Sequence, residues 1–173
     1  MGTVEELKRK RDVFGLMNIP REFCERRDSV ALASMIDRMT HRPGSTDIFL
    51  GSERMRVTDM VDDARAAAKA LGDLRDKRAV EVLTKALHQP LEVSIAAVVA
   101  LGKIKDDRAV EPLIETLRDN SSQVRRDAAR VLTWMGDERA VGSLTRVLED
   151  DDGYVRMEAE KALDRIKRRI AKR

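Results

Sequence analysis

The feature that most constrains this 173-residue chain is a segment that recurs every 30 or 31 residues. Its copies begin at Leu71, Leu101 and Leu132, and each continues through an aspartate into the triplet Arg-Ala-Val. A second column keeps a step of 31 and consists of Val93, Val124 and Val155. Self-similarity of this length is typical of solenoids, in which every unit packs only on its neighbours.

Each unit predicts two helices. In the first helix of one unit, apolar residues recur at helical spacing on one stripe: Val124, Ala128, Val131, Leu132 and Met135. The second helix of that unit carries Val141, Leu144 and Leu148. Aspartates precede the second helices in all three copies and predict N-caps at Asp76, Asp106 and Asp137. Stacking such hairpins buries a continuous core, so we expect an all-α, right-handed α-solenoid of two-helix repeats.

The pattern LGxxxDxRAVxxL, followed by xVRxxAAxxL, resembles the HEAT-like repeat of the phycobilisome-lyase type. The resemblance extends over about residues 60–170 and implies an alpha-alpha superhelix. Repeats of this type occur in bilin lyases, in scaffolds and in regulatory subunits. The resemblance therefore implies the fold and leaves these functions open.

Composition changes near residue 60. All three phenylalanines and six of the eight methionines lie at or before this point. We expect residues 1–56 to form a helical N-terminal cap that contains a long loop at about 41–55. Residues 57–173 are predicted to hold about three full HEAT-like repeats and a C-terminal half copy.

Charge and cysteine usage narrow the class of protein. Lys and Arg number 34 against 31 Asp and Glu, so the net charge is only +3 on a densely charged surface. No apolar run approaches the roughly 20 residues of a membrane span, so no membrane contact is expected. The single cysteine, Cys24, cannot form an internal disulfide, which favours a cytoplasmic protein.

The chain contains no recognisable catalytic constellation. His41 and His88 are the only histidines and have no ligand spacing, and one cysteine cannot build a thiolate metal site. Phosphate-cradling loops, dinucleotide fingerprints and nucleophile elbows are missing from the sequence. We therefore predict no catalytic residue, no cofactor and no metal site.

The second helices are predicted to line the concave surface of the solenoid and to contact a protein partner. Their variable positions alternate in sign, which suits recognition of a specific protein. These candidate contacts are Glu81, Lys85, His88, Glu111, Glu115, Arg118, Ser143, Arg146 and Glu149.

The first helix of the second repeat is unusual because it is apolar nearly all round. Ile95 and Val99, with Val98 beside them, occupy columns that carry charge in other copies. We expect these three side chains to be covered, since exposed apolar patches mark interfaces. The cover is the N-terminal segment, the loop that contains residues 48–50, or another chain, which includes a second copy in a homo-oligomer.

Several basic residues suggest nucleic acid as an alternative ligand. The candidate contacts are Arg125, Arg126, Arg130, Arg168 and Arg169. Against this stand the small net charge and the scarcity of aromatic stacking platforms. A second ladder of arginines is predicted to pair with the capping aspartates within the solenoid, and it consists of Arg78, Arg108 and Arg139.

The leading functional hypothesis is a non-enzymatic module, a short scaffold that docks a protein partner. It rests on the solenoid fold, on the absence of catalytic motifs and on the atypical apolar helix. Two alternatives remain: a nucleic-acid-associated solenoid and, by the family resemblance, a bilin lyase-type enzyme subunit.

Overall fold

The computed structural model describes residues 47–50 and 53–172, with side-chain surroundings for 61–62 and 64–172. This part of the chain contains two short strands, seven α-helices and three short 3-10 turns. The strands are β1 (Asp47–Leu50) and β2 (Glu53–Arg56). The helices are α1 (Val57–Leu74), α2 (Val80–Ala86), α3 (Leu91–Ile104), α4 (Val110–Thr116), α5 (Ser122–Met135), α6 (Val141–Val147) and α7 (Gly153–Ile170).

The helices form hairpins because each first helix is stopped and each second helix is capped at fixed positions. Helices α3 and α5 end on left-handed residues, Lys105 (φ 55°) and Gly136 (φ 65°). The predicted aspartate caps are confirmed: each carboxylate accepts a hydrogen bond from the backbone N–H two residues later, at 2.9–3.0 Å. The capped 3-10 turn leads directly into the second helix.

The first helices α1, α3, α5 and α7 pack side by side, and the second helices α2, α4 and α6 pack against them. Small residues allow the close approach: a Cβ on Gly72 would lie 2.7 Å from Cα of Ala100, and one on Gly102 would lie 2.8 Å from Val131. The column leucines Leu71, Leu101 and Leu132 are fully buried. The predicted α-solenoid is confirmed, with an aliphatic core that runs through all repeats.

The end of the stack differs chemically from its middle. Positions that bury small residues between α1, α3 and α5 become Glu160 and Asp164 in α7, and both are exposed. Asp164 there pairs with Arg168 at 2.7 Å. Helix α7 therefore presents a charged outer face.

One segment of the predicted loop at 41–55 has a regular structure. Strands β1 and β2 pair antiparallel, with Asp47 opposite Arg56 and Leu50 opposite Glu53. The loop prediction is wrong for these residues. Residues 48–50 are apolar, and Ile48 and Phe49 are residue types that favour strands. Residues 1–46 of the predicted N-terminal cap, with Cys24, lie outside the described residues.

Candidate protein-interaction surfaces

The second helices and the turns after them present one row of side chains, which we call the second-helix face. It consists of Glu81, Lys85, His88, Glu111, Glu115, Arg118, Ser143, Arg146 and Glu149. All are exposed except Ser143, which is half-buried. They face solvent because the opposite side of each second helix is buried in the core, where Leu83, Leu113 and Leu144 lie.

Charges on the second-helix face nearly balance. Four carboxylates face three cations, and opposite signs are interleaved along each helix. Lys85 lies 3.7 Å from Glu81 on α2, and Arg139 of the next repeat reaches Glu111 at 3.4 Å. Exposed pairs of this kind add little stability. The face is therefore a patterned polar surface that a partner can pair with charge by charge.

The arginine ladder that starts each second helix is used within the fold. Arg108 and Arg139 each form a fork with the capping aspartate of their own repeat, Asp106 and Asp137. Nη2 of Arg108 also donates to the carbonyl of Lys77 in the preceding repeat at 2.8 Å. The predicted intramolecular Asp–Arg network is confirmed for these residues, and it links neighbouring repeats.

These contacts keep the capping carboxylates ionised. The Arg108 side chain and then its backbone N–H hydrogen-bond Asp106, which lowers the pKa of that carboxyl to about 2. The Arg139 side chain likewise lowers the pKa of Asp137. At neutral pH both caps are therefore charged acceptors for the N–H groups at the start of the turn.

The solvent-facing sides of the first helices form a second surface, which we call the first-helix face. Its twelve residues occupy three equivalent columns and are exposed or half-buried. They are Arg65, Lys69, Asp73, Ile95, Val99, Lys103, Arg126, Arg130, Trp134, Met157, Lys161 and Arg165. Seven are cations and one is a carboxylate, so this face holds a local excess of positive charge that the small net charge conceals.

Three aliphatic residues of α3 cross the middle of this basic surface, and we call them the apolar stripe: Leu91, Ile95 and Val99. Leu91 is 41% exposed, and the other two are half-buried. Val98 is different because none of its surface is exposed. The equivalent residues Ala68 and Ala129 are also buried, so packing against neighbouring first helices explains its burial. Val98 is therefore covered, as expected, but by the neighbouring first helices, so it is not part of a partner surface.

Arg125 is also unavailable to a partner. Its guanidinium forms a two-pronged ion pair with Asp150 of the following turn, at 2.7 and 2.9 Å, and donates to the carbonyls of Asp119 and Asn120. The side chains of Arg125 and Asp150 are only 17% and 10% exposed. The prediction of Arg125 as a basic contact is wrong, because all of these donors serve the junction between two repeats.

Two other predicted basic residues surround a buried carboxylate on α5. Asp127 is 5% exposed, and its Oδ1 lies 2.8 Å from Nη2 of Arg130 and 4.0 Å from Nε of Arg126. Neither contact has hydrogen-bond geometry, so Oδ1 is ion-paired without a hydrogen bond. Arg130 also lies over the ring of Trp134, 5.7 Å from its centroid. Both arginines remain partly exposed at the edge of the apolar stripe.

The basic residues near the C-terminus have local partners. Arg168 is 77% exposed and pairs with Asp164 one helical turn earlier. Arg169 donates to the carbonyl of Met135 at 2.8 Å, and so stabilises the end of α5.

Neither a metal-binding cluster nor a membrane-spanning helix occurs in the part of the chain that the structure describes. Within it, no group of three or more His, Cys, Asp or Glu side chains converges as a metal site would. None of the described helices combines the length and the apolar content that crossing a bilayer requires. The exposed His88 lies on the second-helix face as a surface residue.

The family follows from a comparison with known protein families. The model of HEAT repeats matches residues 59–128 and 85–164, which together are more than half of the chain. The chain belongs to the HEAT repeat family. The phycobilisome-lyase subtype is a narrower statement than this match supports.

Solved structures agree on the fold. A crystal structure of an engineered protein is similar over 79% of this chain and 62% of its own, with a TM-score of 0.52 and 22% identity. A second engineered protein is similar over 90% of this chain and 39% of its own, also with a TM-score of 0.52, at 21% identity. This chain thus spans less than two thirds of either protein. None of the curated proteins compared with the chain matches it.

Sequence reasoning identified charge in the repeat columns that hold Arg65, Lys69, Arg126 and Arg130, but it did not predict that these columns form one basic face. It also missed Leu91, which precedes the recognised pair by one helical turn. Aligning the first helices by repeat column, with the column of Leu91 included, would have shown both.

Proposed function

We propose that this HEAT repeat protein is a non-enzymatic scaffold of the cytoplasm that binds a protein partner through its second-helix face. One observation carries the proposal: the variable side chains of three consecutive second helices are exposed in equivalent columns and carry both signs of charge. Solenoids use such extended rows for binding, and interleaved charge selects one partner over others.

Capture of the partner from the native host tests this proposal. The bait is the full chain, compared with the double variant Glu115→Lys/Arg118→Glu, which exchanges two exposed charges of the second-helix face. The matched control is Asp151→Lys, an exposed residue in the turn before α7. We expect the captured partner to be lost with the double variant and kept with the control, at equal urea midpoints. A set of captured proteins that is identical for all three baits contradicts the proposal.

Two other functions, nucleic-acid binding and a role as a bilin lyase-type subunit, can be tested directly. Binding to single-stranded or duplex nucleic acid at about 50 mM salt would favour the nucleic-acid alternative, which the internal pairing of Arg125 and Arg169 weakens. A change in the absorbance spectrum of a bilin upon mixing would favour a bilin lyase-type subunit. The family resemblance alone suggests that alternative.

A further inference from the structure

The apolar stripe has the geometry of a docking site for a helix. Leu91, Ile95 and Val99 follow one another at intervals of four residues, so they lie along one side of α3 for two helical turns. The buried core of α3 is formed by residues such as Val93, Ala97 and Leu101, and Ile95 packs against the edge of this core while part of its surface stays exposed. Continuous aliphatic surface of this kind is typical of an interface.

Cations flank the apolar stripe on both sides. Helix α3 packs between α1 and α5, and residues in the same column of neighbouring first helices lie side by side, as the 2.6 Å contact between Lys103 and Asp73 illustrates. The columns of Ile95 and Val99 hold Arg65 and Lys69 on α1. On α5 they hold Arg126 and Arg130.

Local carboxylates only partly neutralise these cations. Arg65 pairs with Asp62 at 3.0 Å in an exposed contact, and the single carboxylate of Asp127 is shared by two arginines. Exposed pairs are weak and give way to a better-placed acceptor. The apolar stripe is therefore a hydrophobic strip in a positive field.

Charge decides between the candidate occupants. Residues 1–46 of this chain carry nine Lys and Arg against seven Asp and Glu, a net +2, so they do not complement a basic surface. The second-helix face of another copy is nearly balanced in charge. A nucleic acid would match the cations, but it would leave three aliphatic side chains against phosphate or sugar where stacking aromatics are needed.

We infer that the apolar stripe and its flanking cations bind an acidic amphipathic helix of a protein partner. Such a helix would place aliphatic residues on Leu91, Ile95 and Val99 and would direct Asp or Glu side chains to the cations on either side. The inference rests on the proposed scaffold function and gives the protein two separate binding surfaces on opposite helices of the same repeats.

A peptide selection provides the test. The probe is a phage-displayed library of helix-forming peptides, with aliphatic residues fixed at four-residue spacing and all other positions random. Peptides are selected on the full chain, and their affinities are measured by fluorescence anisotropy. Two variants address the site: Leu91→Ser/Val99→Ser removes the apolar surface, and Lys69→Glu/Arg126→Glu reverses flanking charges. Glu115→Lys on the second-helix face is the matched control.

We expect the selected peptides to be enriched in Asp and Glu and to bind at least about tenfold more weakly to both site variants. The control should bind as tightly as the unmodified chain. Peptides of neutral or basic composition, or peptides that ignore both site variants, overturn the inference. Because the two variants are independent, failure of one to fold leaves the other to decide.

Other occupants of the apolar stripe would give different experimental results. In a Cys24→Ser background, Leu91→Cys should react with a maleimide at the rate of an exposed thiol. Protection in the monomer means that the chain covers its own stripe, and protection that grows with protein concentration means a second copy. Stronger competition by single-stranded DNA than by acidic peptide means a nucleic-acid site. Each of these results overturns the inference, whereas the proposed scaffold function is judged separately by the Glu115→Lys/Arg118→Glu capture.

Discussion

Helices α3 and α5 occupy equivalent places in consecutive repeats, yet their solvent-facing sides are chemically opposite. Helix α5 presents Arg126 and Arg130, whereas α3 presents Ile95 and Val99 in the same columns. Their buried sides hardly differ: Val93 and Leu101 of α3 correspond to Val124 and Leu132 of α5, and all are at most 2% exposed. Core columns are held constant by close packing, while surface columns vary with what each helix meets.

At the junctions between repeats, α3 and α5 also carry different residues in the same column. Arg125 of α5 joins its repeat to the next through Asp150. The equivalent residue of α3 is Ser94, which is buried and donates to the carbonyl of Leu87 at 2.8 Å. Both solutions satisfy polar groups of the turn before the helix, one with a charged fork and one with a hydroxyl. Residues of different types in one column thus satisfy the carbonyl groups of the preceding turn.

The largest effect should come from the column in which the two helices agree. Leu132→Ala and Leu101→Ala each remove a fully buried side chain, and each should lower the free energy of unfolding by about 2–5 kcal/mol. Urea unfolding monitored by circular dichroism measures this. Leu91→Ala, at a position that is 41% exposed, is the control and should cost far less. Equal midpoints for all three would refute the assigned repeat register.

An intermediate loss of stability should follow from a substitution in the junction column, which holds Arg125 on α5 and Ser94 on α3. Arg125→Ala leaves the carboxylate of Asp150 without its guanidinium partner, with the backbone N–H of Asp152 still donating to it, and should cost about 1–3 kcal/mol at neutral pH, more than Arg126→Ala. The Arg125 side chain lowers the pKa of Asp150 below its usual 3.8, so the stabilisation is complete above that pH and is lost below it.

Unfolding curves between about pH 2 and pH 7 check this second prediction. The difference between the unmodified chain and Arg125→Ala should be constant near neutrality and should shrink as the pH falls below about 3.8. A difference that persists unchanged at the lowest pH would show that packing of the arginine stem, rather than the ion pair, stabilises the junction.

The smallest effect should come from making α3 resemble α5 on its surface. Ile95→Arg introduces the residue type found in the same column of α1 and α5, so the free energy of unfolding should change by only about 0.5 kcal/mol. The matched variant Val98→Arg places a charge at a fully buried position and should unfold at a clearly lower urea concentration. Equal, large losses for both would mean that the apolar stripe is covered within the monomer.

The repeat register and the hairpins were predictable from particular residues. Leucines at steps of 30 and 31 fixed the core column, and Asp76, Asp106 and Asp137 marked the second helices. Exposure of the second-helix face also followed from helical periodicity. Residues 47–50 and 53–56 were less predictable, because short strands depend on pairing and the run of residues 48–50 was too brief to distinguish from an apolar loop.

The sequence by itself determined the fold, because periodic apolar columns can be buried only by stacking the repeats on one another. It could not determine which residues on the predicted surfaces are accessible to a partner. Val98 looked like part of a surface patch, and the neighbouring first helices bury it. Arg125 looked like a phosphate contact, and Asp150, 25 residues away in the chain, binds it. Burial and ion pairing depend on distances between different repeats, which only the tertiary structure sets.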